Sequence, residues 1–184
     1  VNTVIRIVDL ETGREQKYGE QGEILISSPA LMLEYDNNQE ETKQVIFVDN
    51  NGQKWIHSGD IGHMDQDGFL YIDGRIKRMI IRHDGFKVFP SQIENVIATD
   101  TDVCECCAVG RSDKSYSQGK LPVVYVVLKQ TADKEKVKSD LLRLCADNLP
   151  EYAQPIDIIC IEKMPLTDNG KIDFRVLEER EENR

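Results

Sequence analysis

Hydrophobic positions fall into two textures along the chain. Up to about Gly74 they come in short runs separated by dense Asp, Asn and Gly punctuation, as in "IRIVDLETGREQKYGEQGEILIS" and "FVDNNGQKWIHSGDIGHMDQDGFLYIDG". Short alternating segments broken by such turn residues predict antiparallel strands joined by tight turns, arranged as a small barrel or sandwich. "NNQEETKQV" is the helical interruption in this half.

Beyond Gly74 the predicted elements alternate in type. "KRMIIR" predicts a strand, "PSQIENVIATD" a helix with Pro90 near its start, and "VCECCAVG" another strand. "KLPVVYVVLK" is rich in β-branched residues and predicts a strand, and "DKEKVKSDLLRLCADNL" spaces its apolar residues as a helix does. "PIDIICIE" is the last strand. The chain therefore reads as α+β: an antiparallel, β-barrel-like subdomain over residues 1–75, then a compact α+β unit over 76–184. It carries no internal repeat and no low-complexity linker.

Composition narrows the function classes. Two-fifths of the residues are apolar and 30% charged, enough apolar content for a real core. Acidic residues outnumber basic ones, 33 to 23, for a net charge of −10, which argues against nonspecific binding to nucleic acid or to an anionic membrane. Any anionic ligand must be met by a local set of cations. No run approaches the roughly 20 apolar residues that span a bilayer, and the reading is a cytoplasmic protein. The chain opens on Val1 inside an apolar segment, like a piece of something longer. Five cysteines, three of them in "DVCECCAVG", lack a second Cys/His cluster at zinc-site spacing, so no metal site is assigned and they read as small apolar strand residues.

Five stretches then fall in a telling order: "GEILISSPALMLEY" (22–35), "HSGDIGHMDQDGFLYIDGRIKR" (57–78), "HDGFKVFPSQIE" (83–94), "LPEYAQP" (149–155) and "PLTDNGKID" (165–173). Together they resemble the C-terminal third of the adenylate-forming, AMP-binding superfamily, which contains acyl-CoA synthetases, peptide synthetase adenylation domains and luciferases. The resemblance implies a reaction in two steps. A carboxylic acid attacks the α-phosphate of ATP to give acyl-AMP and pyrophosphate, and a thiol then displaces AMP. It also implies that the first part of the chain borders a large N-terminal domain, its missing partner, and that the second is a mobile lid. Magnesium is implied by the family alone.

Each site residue has a bland reading beside the functional one. Asp60 in "HSGD" matches the aspartate that holds the nucleotide ribose, and a carboxylate's two acceptor oxygens suit two vicinal hydroxyls; a turn-capping aspartate would look the same. Arg75 in "DGRIKR" matches an arginine beside the nucleotide, against the alternative of a surface salt bridge. Lys77 takes the hinge position, where backbone rotation matters more than the side chain. Gly85, with Phe86 and His83, matches the loop of the CoA pantetheine channel, and a glycine lets backbone approach a narrow ligand closely. We read His83 as a loop histidine rather than a base, because a thiol needs little help against an activated mixed anhydride.

Lys171 in "PLTDNGKID" matches the catalytic lysine. Its ammonium would bridge the carboxylate oxygen and the α-phosphate as negative charge builds, and an Asp-Asn-Gly turn would limit where it wanders. The chain departs from the family at two points. The loop between Arg75 and Gly85 is about one residue longer than in many members, and Arg175 stands one place late, so no role is carried over to it. No phosphate-binding loop, adenine-side segment or acyl pocket occurs in these 184 residues, which are therefore expected not to complete adenylation alone. "GFKVFPSQIENVI", with its proline, favours an acyl-CoA synthetase. The alternatives are an adenylation domain that charges a carrier protein and a non-catalytic module that binds a nucleotide or a partner.

Overall fold

The computed structural model describes residues 2–183. The chain divides into two compact units, one ending at Lys77 and the next beginning at Arg78.

In the first unit, strands β1 (Val4–Val8) and β2 (Gly22–Ser27) pair antiparallel. A short helix α1 (Gln39–Val45), capped by the Asn38 side chain, leads into β3 (Ile46–Val48). The long strand β4 (Lys54–Met64) pairs with β2, with β3 near its start and with β5 (Leu70–Arg75) near its end. All these ladders are antiparallel, as the alternating pattern predicts. They form an open five-stranded sheet, and among the described residues no ladder closes it into the expected barrel. Alternation in sequence specifies pairing, whereas closure depends on a first-to-last strand contact that no local pattern encodes.

The same turn chemistry joins two of these strand pairs. In "DNNGQKW" the carboxylate of Asp49 accepts hydrogen bonds from the backbone N–H groups of Asn51 and Gln53 and from Trp55 Nε1. In "DQDGFLY" Asp65 likewise accepts from the N–H groups of Asp67 and Phe69 and from the Tyr71 hydroxyl. Trp55 is fully buried with Val8 and Leu25, and Arg6 lies 4.3 Å over its ring.

The second unit starts with a small hairpin, β6 (Ile80–Ile81) and β7 (Lys87–Val88), shorter than the predicted strand because a 3-10 turn occupies Ile76–Arg78. Helix α2 (Pro90–Ile97) follows, with proline at its first turn, where a missing N–H costs nothing. Then come β8 (Val103–Ser112), β9 (Lys120–Leu128), helix α3 (Lys134–Asn148) capped by Asp133, β10 (Asp157–Cys160) and helix α4 (Phe174–Glu182) capped by Asp173.

Strand β9 is central, antiparallel to β8 and parallel to β10, with α3 as the crossover that a parallel pair requires. Residues of β8 and β9 alternate between two apolar layers. Ala108, Val124 and Val126 join Ile93, Ile97, Val137 and Leu141 of α2 and α3. On the other face, Val109, Val123 and Tyr125 join Leu177 of α4. Among the described residues no helix is long and apolar enough to cross a membrane.

Candidate functional site

The structure brings two of the expected residues together. Asp60 on β4 sits opposite Arg75 on β5 in the ladder, and Arg75 Nε lies 2.8 Å from Asp60 Oδ1. The "HSGD" segment that presents Asp60 is itself held. Gly59 takes φ +70° and donates its N–H to Glu23 on β2, whose other oxygen lies 2.8 Å from His57 Nδ1. The Ser58 hydroxyl accepts from the Asp60 N–H. Asp60 thus lies against a well-exposed guanidinium, with its own side chain partly exposed. Such an exposed pair adds little stability and serves to orient both groups. Sequence reading missed Glu23, which lies in a different motif and meets the turn only through sheet pairing.

Lys77 is exposed within the 3-10 turn and is the last residue of the first unit. Its neighbour Arg78 is the first anchor of the second. Arg78 forks onto Glu94 of α2 at 2.5 and 3.3 Å, donates to the Ala108 carbonyl and lies 5.3 Å from the Phe174 ring at the start of α4. Burial alone would ease deprotonation of this guanidinium, but Glu94 outweighs it and the charge is held more firmly than usual. Nothing in "GRIKR" distinguishes Arg78 from its neighbours in sequence.

Residues 82–86 form a closed turn. The Gly85 N–H donates to the Arg82 carbonyl and the Arg82 N–H to the Phe86 carbonyl, with Gly85 at φ +84°. Asp84 binds the Arg82 guanidinium and accepts from the Phe86 N–H. Arg82 above all holds the Asp84 carboxyl below its ordinary range, outweighing the opposing effect of desolvation, and the Phe86 N–H adds to it. Phe86 stacks on Tyr152 of "LPEYAQP" at 4.6 Å, and Arg82 also donates to the Tyr152 carbonyl. The loop is thus tied to a second motif by a ring and a guanidinium.

His83 is engaged from the other side. Its ring stacks on Tyr116 at 3.5 Å and 5°, and Nδ1 lies 3.3 Å from Asp113 Oδ2, within ion-pair range but out of line for a hydrogen bond. Gly119 makes this approach possible. It takes φ +105°, and a Cβ there would fall 2.3 Å from the His83 backbone nitrogen. Asp113, Tyr116 and Gly119 lie in one loop, "SDKSYSQG", whose polar residues read in sequence as a connection and nothing more.

Lys171 rides on a turn fastened at several points. Thr167 donates its N–H to the Lys171 carbonyl at 2.8 Å, its hydroxyl accepts from the Lys171 N–H at 3.2 Å, and Gly170 closes the turn at φ +76°. Leu166 bridges Ile172, and the Asp173 N–H donates to the Pro165 carbonyl before its side chain caps α4. The ammonium is exposed and has no partner among the described residues. The arrangement is a rigid arm ending in an unpaired cation.

Helix α4, which sequence reading missed, anchors the far side of that arm. Glu181 is buried, accepts from the Tyr125 hydroxyl and pairs with Arg111 Nε at 2.5 Å. Among the described residues no three His, Cys, Asp or Glu side chains converge to hold a metal. Cys104 is exposed, and burial pushes the thiols of Cys106 and Cys107 up to about 11 and about 12, the protonated form that packs rather than ligates.

Comparison with known proteins agrees with these motifs. Residues 92–171 match the family described as the AMP-binding enzyme C-terminal domain. The chain is 36% identical over 166 residues to a 2-succinylbenzoate–CoA ligase of Listeria monocytogenes, covering 90% of this chain and 33% of that protein. It is 31% identical to 4-coumarate–CoA ligase-like 1 of Arabidopsis thaliana, over 97% of this chain and 31% of that one. Among solved structures it resembles the o-succinylbenzoate CoA synthetase of Bacillus subtilis in complex with its acyl-adenylate intermediate, with a TM-score of 0.78 and 28% identity over 92% of this chain and 32% of that one. The chain spans about a third of the length of these relatives. In motif order, fold and sequence, it belongs to the adenylate-forming, AMP-binding superfamily, as a C-terminal portion of that fold.

Proposed function

We propose that the chain is the C-terminal part of an ATP-dependent acyl-CoA ligase, which activates a carboxylic acid as its acyl-adenylate and passes the acyl group to the thiol of CoA. The observation that carries this reading is the unpaired Lys171 ammonium on its fastened turn. A cation held this way stabilises negative charge that develops on an attacking carboxylate and an α-phosphate without reorganising first. Asp60, a partly exposed carboxylate, would accept from ribose hydroxyls, and Arg75 beside it would meet ribose or phosphate oxygens.

Lys77 is the hinge about which the second unit, acting as a lid, turns between the two steps. Gly85, Phe86 and the rest of their turn line the pantetheine path. Magnesium would travel with the triphosphate, charge-neutralising it, and no residue here is given a step through the metal. The relatives that share these motifs are CoA ligases, which favours CoA over a carrier protein as acceptor. A cytoplasmic setting, where ATP and CoA are both present, belongs to the same reading.

The test is carboxylate-dependent pyrophosphate release by the complete polypeptide that carries this chain, across a panel of carboxylic acids. Lys171→Ala should lower that release by about a hundred- to a thousandfold. The same variant should still convert supplied acyl-adenylate and CoA into thioester. Undiminished pyrophosphate release in Lys171→Ala would remove the lysine from the chemistry.

A further inference from the structure

We propose that His83, backed by Asp113 and stacked on Tyr116, is the proton acceptor for the attacking thiol in the thioester-forming step. The inference rests on the ligase reading above, and it reverses the view that a loop histidine there is idle. What changes the balance is geometry that the sequence did not expose.

Three independent features orient this imidazole. Tyr116 fixes the ring plane by parallel stacking, Asp113 draws Nδ1 inward, and only a glycine at 119 allows the 113–119 loop to close over the His83 backbone. Asp113 is itself positioned: its N–H donates to the Gly119 carbonyl, and its Oδ1 accepts from the Ser115 N–H at 3.0 Å. A carboxylate facing Nδ1 favours the tautomer with its proton on that nitrogen and leaves Nε2 as the free base. The buried Nδ1 is out of line for a hydrogen bond, as such bonds commonly are before substrate arrives. The side chain is 22% exposed while Nδ1 is not, so the accessible part of the ring lies away from Asp113. The charged or titratable groups facing His83 are Asp113 and Tyr116 from the opposite loop and Asp84 from its own turn, the last already engaged by Arg82.

The location is two residues from Gly85, in the turn assigned to the pantetheine path. In the step, His83 Nε2 takes the proton from the thiol S–H, and the sulfur bonds to the acyl carbon. The bond from that carbon to the phosphate oxygen breaks, its electron pair leaving with AMP, and the proton then passes to solvent. A thiol of ordinary acidity is only a few per cent ionised at neutral pH, so the base is worth about 10- to 100-fold there.

That ceiling supplies a readout a purely structural clamp would not move. In the complete ligase, given preformed acyl-adenylate and CoA, His83→Gln should lose about 10- to 100-fold in thioester formation near neutral pH. The defect should shrink as pH rises and the thiol ionises unaided. Pyrophosphate release should stay unchanged, and Asp113→Asn should shift the profile in the same direction. A defect of equal size at every pH, a matching fall in pyrophosphate release, or wild-type thioester formation would each overturn the proposal. Absence of carboxylate-dependent pyrophosphate release in the unaltered protein would instead bring down the ligase reading, and this inference with it.

Discussion

Single residues decide how the candidate site meets a ligand. Asp60 offers two acceptor oxygens, one of them facing Arg75, and an amide at that position would replace an acceptor with a donor. On the ligase reading, Asp60→Asn should raise the KM for ATP by about 10- to 100-fold, the worth of a hydrogen bond to a charged group, as measured by pyrophosphate release. At Gly119 the argument is steric. Its φ of +105° and the 2.3 Å approach to the His83 backbone leave no place for a methyl group. Gly119→Ala should therefore push against the Arg82–His83 backbone and loosen the Tyr116–His83 stack, visible as a change in the His83 ring resonances.

At the scale of elements, the first unit depends on two aspartate-centred turns. The Gln53 N–H, first among its partners, holds the Asp49 carboxyl below its ordinary value of 3.8, and the Phe69 N–H does the same for Asp65. A depressed folded pKa means these turns contribute their stability above the unfolded value and lose it as pH falls through the lower, folded one. Fluorescence of Trp55, the single tryptophan, which donates to Asp49, should report loss of the first unit at pH below 3.8, and Asp49→Asn should lower its melting temperature at pH 7. In the second unit the comparable device is Glu181, which holds α4 against Arg111 and Tyr125. Glu181→Ala removes a buried carboxylate that accepts from the Tyr125 hydroxyl and pairs with Arg111, which keeps Asp157 as a partner, and should cost about 1.5–3 kcal/mol in chemical denaturation.

For the whole molecule, each unit keeps its apolar clusters to itself. Two clusters lie wholly within residues 78–184, one on each face of the β8–β9–β10 sheet, whereas the buried cluster of the first unit is Val8, Leu25 and Trp55. With Ile7, Ile24 and Ile61 the first unit buries six apolar side chains among the described residues, far fewer than the second, a thin counterweight to the ordering of that unit's chain. Residues 78–184 expressed alone should fold with a cooperative thermal transition by circular dichroism, and residues 1–77 alone should not. An uncooperative 78–184 would mean that the second unit borrows stability from elsewhere.

Patterning in the sequence determined most of the elements, because period and punctuation are local properties. The strands before Gly74, Pro90 opening a helix, the apolar spacing of α3 and the turn that carries Lys171 are all written in neighbouring residues. So are the motifs from which the superfamily was read. Where local signals conflicted or were absent, only tertiary structure decided. Reading along the chain assigns no element to "FRVLEEREE", yet Leu177 and Glu181 are its buried face, because Arg111 and Tyr125 arrive from strands more than fifty residues earlier. Arg78 looks like one more basic residue until Glu94 and the Ala108 carbonyl surround it. Asp113 and Tyr116 sit in an unremarked loop and matter only because Gly119 lets that loop close on His83. The open sheet in place of a barrel has the same cause: closure is a contact between distant strands, and its energy resides in the pair rather than in either segment.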